Sequence, residues 1–390
     1  MITDDLSNYT KVSIYIHFPF CLKKCLYCSF NSIAESHFPP ERYVSTLIRE
    51  MGLCRANLAH RVVAHTLYFG GGTPSLMKPA LVGRIVDAAA DLFSLGSAAE
   101  ITLEANPGAL TLETLSGYRS CGINRLSLGV QSFHDELLQR LGRVHSAEQA
   151  VDAFTAARVA GFENIGVDLI NSLPGQTVKM WEDDLLKTVD LQPEHISVYG
   201  LSIEEGTPFA VMEKDGSLML PDEDDAAVMF EKSTQILCGA GFEQYEIANF
   251  AKPGSRSRHN QGYWLRNDYL GFGAGAHSFM KESGFGVRWR NPDDLEAYQQ
   301  PVMNGELPWR ERCCLSSKEA IQERLFLGLR MREGVDLEDF RTEFGVSVAE
   351  IYPWEYTSLL AGGGLEIQEG RLRIAEKSMV IANQIFVRFM

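Results

Sequence analysis

An α/β fold is predicted: a partial (β/α)6 barrel, open on one side, with an irregular extension and a small helical, winged-helix-like C-terminal domain. Three observations predict it. Short β-branched or aromatic runs alternate with helical patterns from residue 12 to about 250. The runs number six, short of the eight that close a barrel. Near Pro308 the texture changes to helices followed by a short β-like pair.

The runs are residues 12–18, 65–69, 100–104, 125–130, 164–170 and 195–201, each bounded by Gly, Pro or Asn. Candidate helices lie near 40–58, 78–93, 111–121, 134–160, 177–190 and 222–240. Pro221-Asp222-Glu223-Asp224-Asp225 opens the last of these, its acids complementing the helix dipole as a solvated cap. Such alternation implies βαβ units and a parallel sheet, whose loops at the strands' C-terminal ends receive ligands. Residues 249–278 are dense in Gly, aromatic and Asn residues and are expected to be largely irregular. Helical stretches at 317–331, 337–344 and 351–360 precede 365–367 and 371–374, which pair as a wing through Glu369-Gly370. The expected division is 1–205 for the barrel, 206–308 for the extension and 309–390 for the C-terminal domain, which would cover the barrel or dimerise.

With 45% hydrophobic and 22% charged residues, the 390-residue chain has an ordinary globular composition. A net charge of −15 argues against a nucleic-acid partner, the winged region included. Met1-Ile2-Thr3-Asp4-Asp5 has neither a basic nor an apolar targeting region, and no run is long enough to span a bilayer. Eight cysteines without a secretion signal read as reduced thiols, so the expected location is cytoplasmic. Cys54, Cys121 and Cys238 are expected as small core residues, and Cys313-Cys314 as a structural or incidental pair.

The other three cysteines carry chemistry. Cys21-Leu22-Lys23-Lys24-Cys25-Leu26-Tyr27-Cys28 sets three soft thiolates at C-x3-C-x2-C spacing just past the first strand. Four thiolates would close a zinc site or a conventional cluster; three leave one position open. Phe30, Asn31 and Ser32 stand where a fourth ligand would follow, although a zinc knuckle or three unrelated cysteines is the plainer alternative. Further candidates fall at strand ends. Gly70-Gly71-Gly72-Thr73-Pro74 lets the backbone approach a ligand, or is simply a tight strand-to-helix turn. Glu104, before Asn106-Pro107-Gly108, can face a cation or cap a turn. Gln131, Arg143 and Asp168 follow or end later runs; each alone is as readily a surface residue. In His259-Asn260-Gln261-Gly262-Tyr263-Trp264, His259 is suited to axial haem ligation beside a flat aromatic wall, or is satisfied by a backbone carbonyl. His277, in a Gly-rich turn, is expected to be structural.

C-x3-C-x2-C with an aromatic before the last Cys resembles the cluster motif of the radical S-adenosylmethionine (SAM) superfamily. The flanking Tyr15-Ile16-His17-Phe18-Pro19-Phe20-Cys21 is similar to the branch that contains oxygen-independent coproporphyrinogen III oxidase (HemN) and the haem chaperone HemW. The likeness runs from about residue 12 to 390. It implies a 4Fe–4S cluster on Cys21, Cys25 and Cys28, with SAM on the open iron and a 5′-deoxyadenosyl radical as the product of one-electron cleavage. It implies SAM contacts from Tyr15, Tyr27, Gly71, Gly72, Thr73, Glu104, Gln131, Arg143 and Asp168. In that frame the glycine segment meets the amino group, Arg143 the carboxylate and Asp168 the ribose. Asn171-Ser172-Leu173-Pro174-Gly175 departs from the usual Tyr-Gly-Leu-Pro-Gly without touching a ligand.

Two functions follow from the likeness. A chaperone would bind haem through the His259 segment and deliver it to client haemoproteins such as membrane-associated respiratory enzymes, with an electron donor serving the cluster. An oxidase would decarboxylate coproporphyrinogen III to protoporphyrinogen IX. The chaperone is favoured. The cysteine loop begins only some twenty residues in, Phe30 stands where the oxidase carries an additional Cys, and the His259 segment is present. A radical SAM enzyme acting on haem itself is a third reading.

Overall fold

A computed structural model describes residues 9–34, 39–281 and 284–390. The acidic start, Met1 to Asp5, lies outside them. The six expected strands form as β1 (Tyr9–Phe18), β2 (Arg61–Gly71), β3 (Glu100–Ala105), β4 (Arg125–Gln131), β5 (Ile165–Asn171) and β6 (His195–Gly200). Each pairs in parallel with the next. Side chains alternate across a strand. In β1, Val12, Ile14, Ile16 and Phe18 are at most 1% exposed in the main core, which leaves Ser13, Tyr15 and His17 for the other face. Helices α1 (Pro40–Asn57), α2 (Pro79–Phe93), α3 (Leu112–Ser120), α4 (Asp135–Leu141), α5 (Ala147–Val159) and α6 (Val178–Leu191) connect them.

The single helix expected over 134–160 is two. Gly142 ends α4 in the left-handed region at φ 74°, and Ser146 starts α5 with a capping box shared with Gln149. Helices α7 (Pro208–Lys214) and α8 (Glu223–Gly239) follow β6. Asp222 caps α8 by accepting from the Asp225 amide at 2.8 Å, the capping role expected of the acidic run. Met229, Ser233 and Leu237 form the buried side of α8. Cys238 therefore falls off that face and is exposed rather than a core residue. Cys54 is buried and Cys121 half-buried.

The segment expected to be irregular is more ordered than its composition suggests. Glu243–Gln244 (β7) and Asn249–Ala251 (β8) extend the sheet beside β6. Helix α9 (Arg258–Trp264) comes next, then β9 (Tyr269–Phe272), β10 (His277–Met280), β11 (Val287–Arg290), helix α10 (Leu295–Met303) and β12 (Arg310–Cys314). Strand β9 pairs in parallel with β1, making a seventh parallel strand. The twelve strands run β12-β11-β10-β9-β1-β2-β3-β4-β5-β6-β8-β7, so the barrel is open between its outer strands. Glycines hid these strands: Gly271 lies in β9 where a Cβ would strike the His277 carbonyl, and Gly273 turns at φ 100°. Cys313 and Cys314 lie exposed on the edge strand β12.

A buried carboxylate fixes the mouth of this turn. Glu50 of α1 accepts from the Gly273 amide at 2.9 Å, the Tyr298 hydroxyl at 2.7 Å and the Asn291 amide at 2.6 Å. The C-terminal body comprises α11 (Ser317–Gly328), β13 (Val335–Asp336), α12 (Leu337–Phe344), α13 (Val348–Ile351), α14 (Pro353–Ala361), β14 (Leu365–Gln368), β15 (Arg371–Ile374) and α15 (Ala382–Phe386). The wing pair β14–β15 gains a third strand, β13. Leu325, Leu329, Phe340, Leu372, Phe386 and Phe389 give this body its own core. Arg266, 1% exposed at its side chain, ties it to the barrel through Glu323 at 3.1 Å and Glu343 at 2.9 Å. Among the described residues no helix is long and apolar enough to cross a membrane.

Candidate functional site

The cysteine loop sits at the C-terminal mouth of the barrel, fastened from several directions. Phe20–Cys21 and Ile33–Ala34 pair in parallel and close its base. The glycine turn after β2 reaches under it. The Gly72 amide donates to the Phe18 carbonyl at 2.7 Å and the Thr73 amide to the Phe20 carbonyl at 2.9 Å. At the crown, the Leu26 amide donates to the Leu141 carbonyl at 3.1 Å, and the Phe209 amide to the Leu26 carbonyl at 3.1 Å. Leu26 and Tyr27 rest on a small cluster of Leu137, Leu141, Ile170, Leu173 and Phe209. Gly71 is at φ 109°, where a Cβ would also meet the His17 ring at 2.6 Å. That is the physical reason for glycine there.

Below the loop opens a cavity of about 370 Å³. It brings together eleven of the thirteen expected residues: Cys21, Cys25, Tyr27, Cys28, Gly71, Gly72, Thr73, Glu104, Gln131, Arg143 and Asp168. Tyr15 lines an adjoining cavity with Gly71 and Glu104. The three thiols are half-buried and unpaired. Among the described residues no group of three His, Cys, Asp or Glu side chains closes around a single-ion position; the cysteines share a wall rather than a point. Thr73 donates its hydroxyl to Cys21 Sγ at 3.5 Å. Arg143 donates from Nη1 to Cys25 Sγ at 3.6 Å and from Nη2 to the Gly129 carbonyl at 2.6 Å. Burial pushes the Cys28 thiol up.

Acids and unsatisfied polar atoms surround the space. Burial pushes Glu104 up to about 7, although the Tyr68 hydroxyl donates to its Oε1 at 2.8 Å. Burial also raises Asp168, which accepts from the Ser127 hydroxyl at 2.9 Å. Gln131 Oε1, Arg143 Nε, and Nε and Nη1 of Arg125 are buried without a hydrogen-bond partner. Gln131 also holds φ 71°, a left-handed conformation at the end of β4. Buried orphans and a strained non-glycine residue at one cavity mark a place built for a polar ligand. Sequence reasoning missed Arg125, Ser127, Tyr68 and Tyr199, all of which line the cavity. Residues 125, 127, 129 and 131 share one face of β4 by simple alternation, and that signal could have found the first two.

His259 lies elsewhere. Glu100, at the start of β3, accepts from the backbone amides of Arg258 and His259 at 3.0 Å each, holding the N-terminus of α9 at the opposite end of the barrel. The imidazole is 1% exposed. Its Nδ1 is hydrogen-bonded to Thr66 Oγ1 at 2.8 Å and its Nε2 to the Tyr263 hydroxyl at 2.9 Å, while Tyr68 stacks on it at 4.9 Å. Thr66 stands five residues before Gly71 in β2, about 16 Å down the strand from the cluster mouth. Helical spacing sets His259 and Tyr263 together, but Trp264 faces away, under the Arg330 guanidinium at 4.6 Å. Of the two aromatic residues expected to flank the imidazole, Tyr263 does so edge-on and Trp264 does not; Asn260, the next residue, reaches the cavity. Burial pulls the His259 ring down to about 3.

Residues 15–187 match the radical SAM superfamily and residues 315–381 the HemN C-terminal domain. The haem chaperone HemW of Lactococcus lactis is 35% identical over 97% of this chain and 97% of that one. HemW of Bacillus subtilis is 35% identical over 97% and 99%. The coproporphyrinogen III oxidase HemN of Escherichia coli, a radical SAM enzyme, superposes with a TM-score of 0.83 over 98% of this chain and 90% of its own. At 24% identity that likeness establishes the fold. Identity above a third, sustained over nearly the full length of both partners, establishes more: the chain belongs to the HemW family of the radical SAM superfamily.

Proposed function

We propose that the chain is a haem chaperone whose barrel mouth holds a 4Fe–4S cluster and SAM, and which passes haem to client haemoproteins. The observation that carries the cofactor part is the convergence of three unpaired thiols with orphaned polar atoms on one cavity. The haem part rests on full-length membership of the HemW family. Cys21, Cys25 and Cys28 would hold the cluster, which when bound supplies one-electron reduction of SAM. Glu104 and the bare backbone of Gly71, Gly72 and Thr73 would receive the amino group. An ammonium placed beside the buried Glu104 would favour its carboxylate form. Arg143 would pair its unsatisfied Nε with the carboxylate, Asp168 would take the ribose hydroxyls, and Gln131, Tyr15 and Tyr27 would enclose the nucleoside. The barrel walls exclude water from these contacts, which strengthens them. Reduced thiols and an exposed cluster suit the cytoplasm.

Two measurements test this. After anaerobic reconstitution, Cys21→Ala, Cys25→Ala and Cys28→Ala should each lose most of the wild-type iron and sulfide. Wild-type protein should bind ferric haem stoichiometrically and release it to an apo-haemoprotein. Full iron content in all three variants would overturn the cluster assignment; no haem binding would overturn the chaperone.

A further inference from the structure

The direction in which Glu104 faces the cofactor cavity is set from the neighbouring strand. Strands β2 and β3 run in register with Tyr68 beside Thr102 and Phe69 beside Leu103. One step further along, Gly70 comes opposite Glu104. A Cβ on Gly70 would lie 3.2 Å from each carboxylate oxygen of Glu104 and 3.0 Å from the Tyr15 ring. The missing methyl is therefore a slot, and the Glu104 carboxylate lies against it. Side chains alternate along a strand, so Tyr68, two residues before Gly70, stands on the same face just beneath the slot. Its hydroxyl donates to Glu104 Oε1 at 2.8 Å. The Gly71 amide donates to the same carboxylate.

Tyr68 itself has little freedom. It is 8% exposed, and its ring stacks on Tyr15 at 6.2 Å and on His259 at 4.9 Å. Burial and then the Glu104 charge hold its phenol well above the ordinary 10, so the hydroxyl keeps its proton and donates. A carboxylate offers about four acceptor sites; with two donors fixed on it, the rest remain for a ligand in the cavity that Glu104 lines. We propose that Tyr68 is a positioning residue, which with the Gly70 slot aims the Glu104 carboxylate at the amino group of SAM. The assignment rests on the cofactor reading above and adds to it a residue that acts through Glu104. Without the hydroxyl the carboxylate loses both its fixed direction and a donor that favours its charged form. Binding must then supply the order that the free protein already holds.

The test is calorimetric titration of anaerobically reconstituted protein with SAM and with 5′-methylthioadenosine, which keeps the nucleoside but has neither the amino nor the carboxylate group. Tyr68→Phe retains the ring and removes only the hydroxyl. It should weaken SAM binding by roughly ten- to a hundredfold and leave 5′-methylthioadenosine within about twofold of wild type. Introduced into a Glu104→Ala protein, the same substitution should cost less than about twofold more, because its partner is already gone. The assignment is overturned if Tyr68→Phe binds SAM within about twofold of wild type. It is overturned equally if both ligands lose affinity by one factor, the mark of a disturbed barrel, or if the losses of the two substitutions multiply in full. A wild-type protein that binds no SAM overturns the cofactor reading itself, a result distinct from all three.

Discussion

Gly72 is where one added carbon should disturb the cofactor loop most. A Cβ there would lie 2.7 Å from the Phe20 carbonyl oxygen, 2.9 Å from the Phe18 carbonyl oxygen and 2.9 Å from the Pro19 carbonyl carbon. All three are backbone atoms of the segment that leads into Cys21, so no side chain can swing aside. A comfortable separation requires that segment to move by about half an ångström, stretching the 2.7 Å bond from the Gly72 amide to Phe18. Overpacking of this kind costs about 1–3 kcal/mol. Gly72→Ala should therefore lower the urea-derived unfolding free energy of the apo-protein by that amount and reduce the iron retained after reconstitution. Gly52→Ala is the control. Gly52 lies within α1 with nothing within 4 Å of its added Cβ, and alanine there should stabilise by about 0.5–1 kcal/mol. A Gly72→Ala protein within about 0.5 kcal/mol of wild type, with full iron content, would refute the idea that this glycine turn braces the loop.

Two further outcomes concern buried titratable groups. His259 is pulled from 6.5 down to about 3 by burial. Its stabilising contribution is therefore complete above pH 6.5 and lost as pH falls, by about 1.4 kcal/mol between pH 7.5 and 5.5; the difference in urea stability between wild type and His259→Gln should shrink by that much, and a pH-independent difference would contradict the buried neutral ring. Glu50 runs the other way, since burial raises it from 4.5 to about 7 against its three donors. Its contribution is full below pH 4.5 and falls by on the order of 3 kcal/mol by pH 8, so Glu50→Gln should gain on wild type across that range, and parallel stability curves for the two proteins would refute it.

The barrel was legible because its signal is local. Six apolar runs with Gly, Pro or Asn at their ends became β1 to β6 within a few residues of where periodicity put them. The cysteine loop was legible for the same reason, since three ligands within eight residues need no tertiary information. What the sequence concealed depends on distant partners. Strand β9 reads as a glycine-rich loop until it is seen to pair with Ile14 and Ile16 of β1. Glu50 lies in a helix, and only the fold sets Tyr298, some 250 residues on, beside it. His259 reads as a ligand because its neighbours are aromatic. Only the capping of α9 by Glu100 and the bond to Thr66 reveal that it plugs the floor.

That placement makes the two ends of the barrel unequal. At the floor, α9 is pinned by Glu100, and Trp264 and Arg266 bind it to the C-terminal body through Arg330, Glu323 and Glu343. Arg266 is almost wholly buried between these carboxylates, so opening that end would strand a charge at a cost of several kcal/mol. The mouth is held differently. Its cover is the cysteine loop, where Leu22 and Phe30 stay exposed, held chiefly by backbone bonds to the glycine turn, Leu141 and Phe209. Bonds of that kind contribute about 1 kcal/mol each, so the loop can shift locally while the floor stays shut. Lys24, Phe30 and Glu104 line both the cavity under the loop and the one beside it, and so form a wall common to the two.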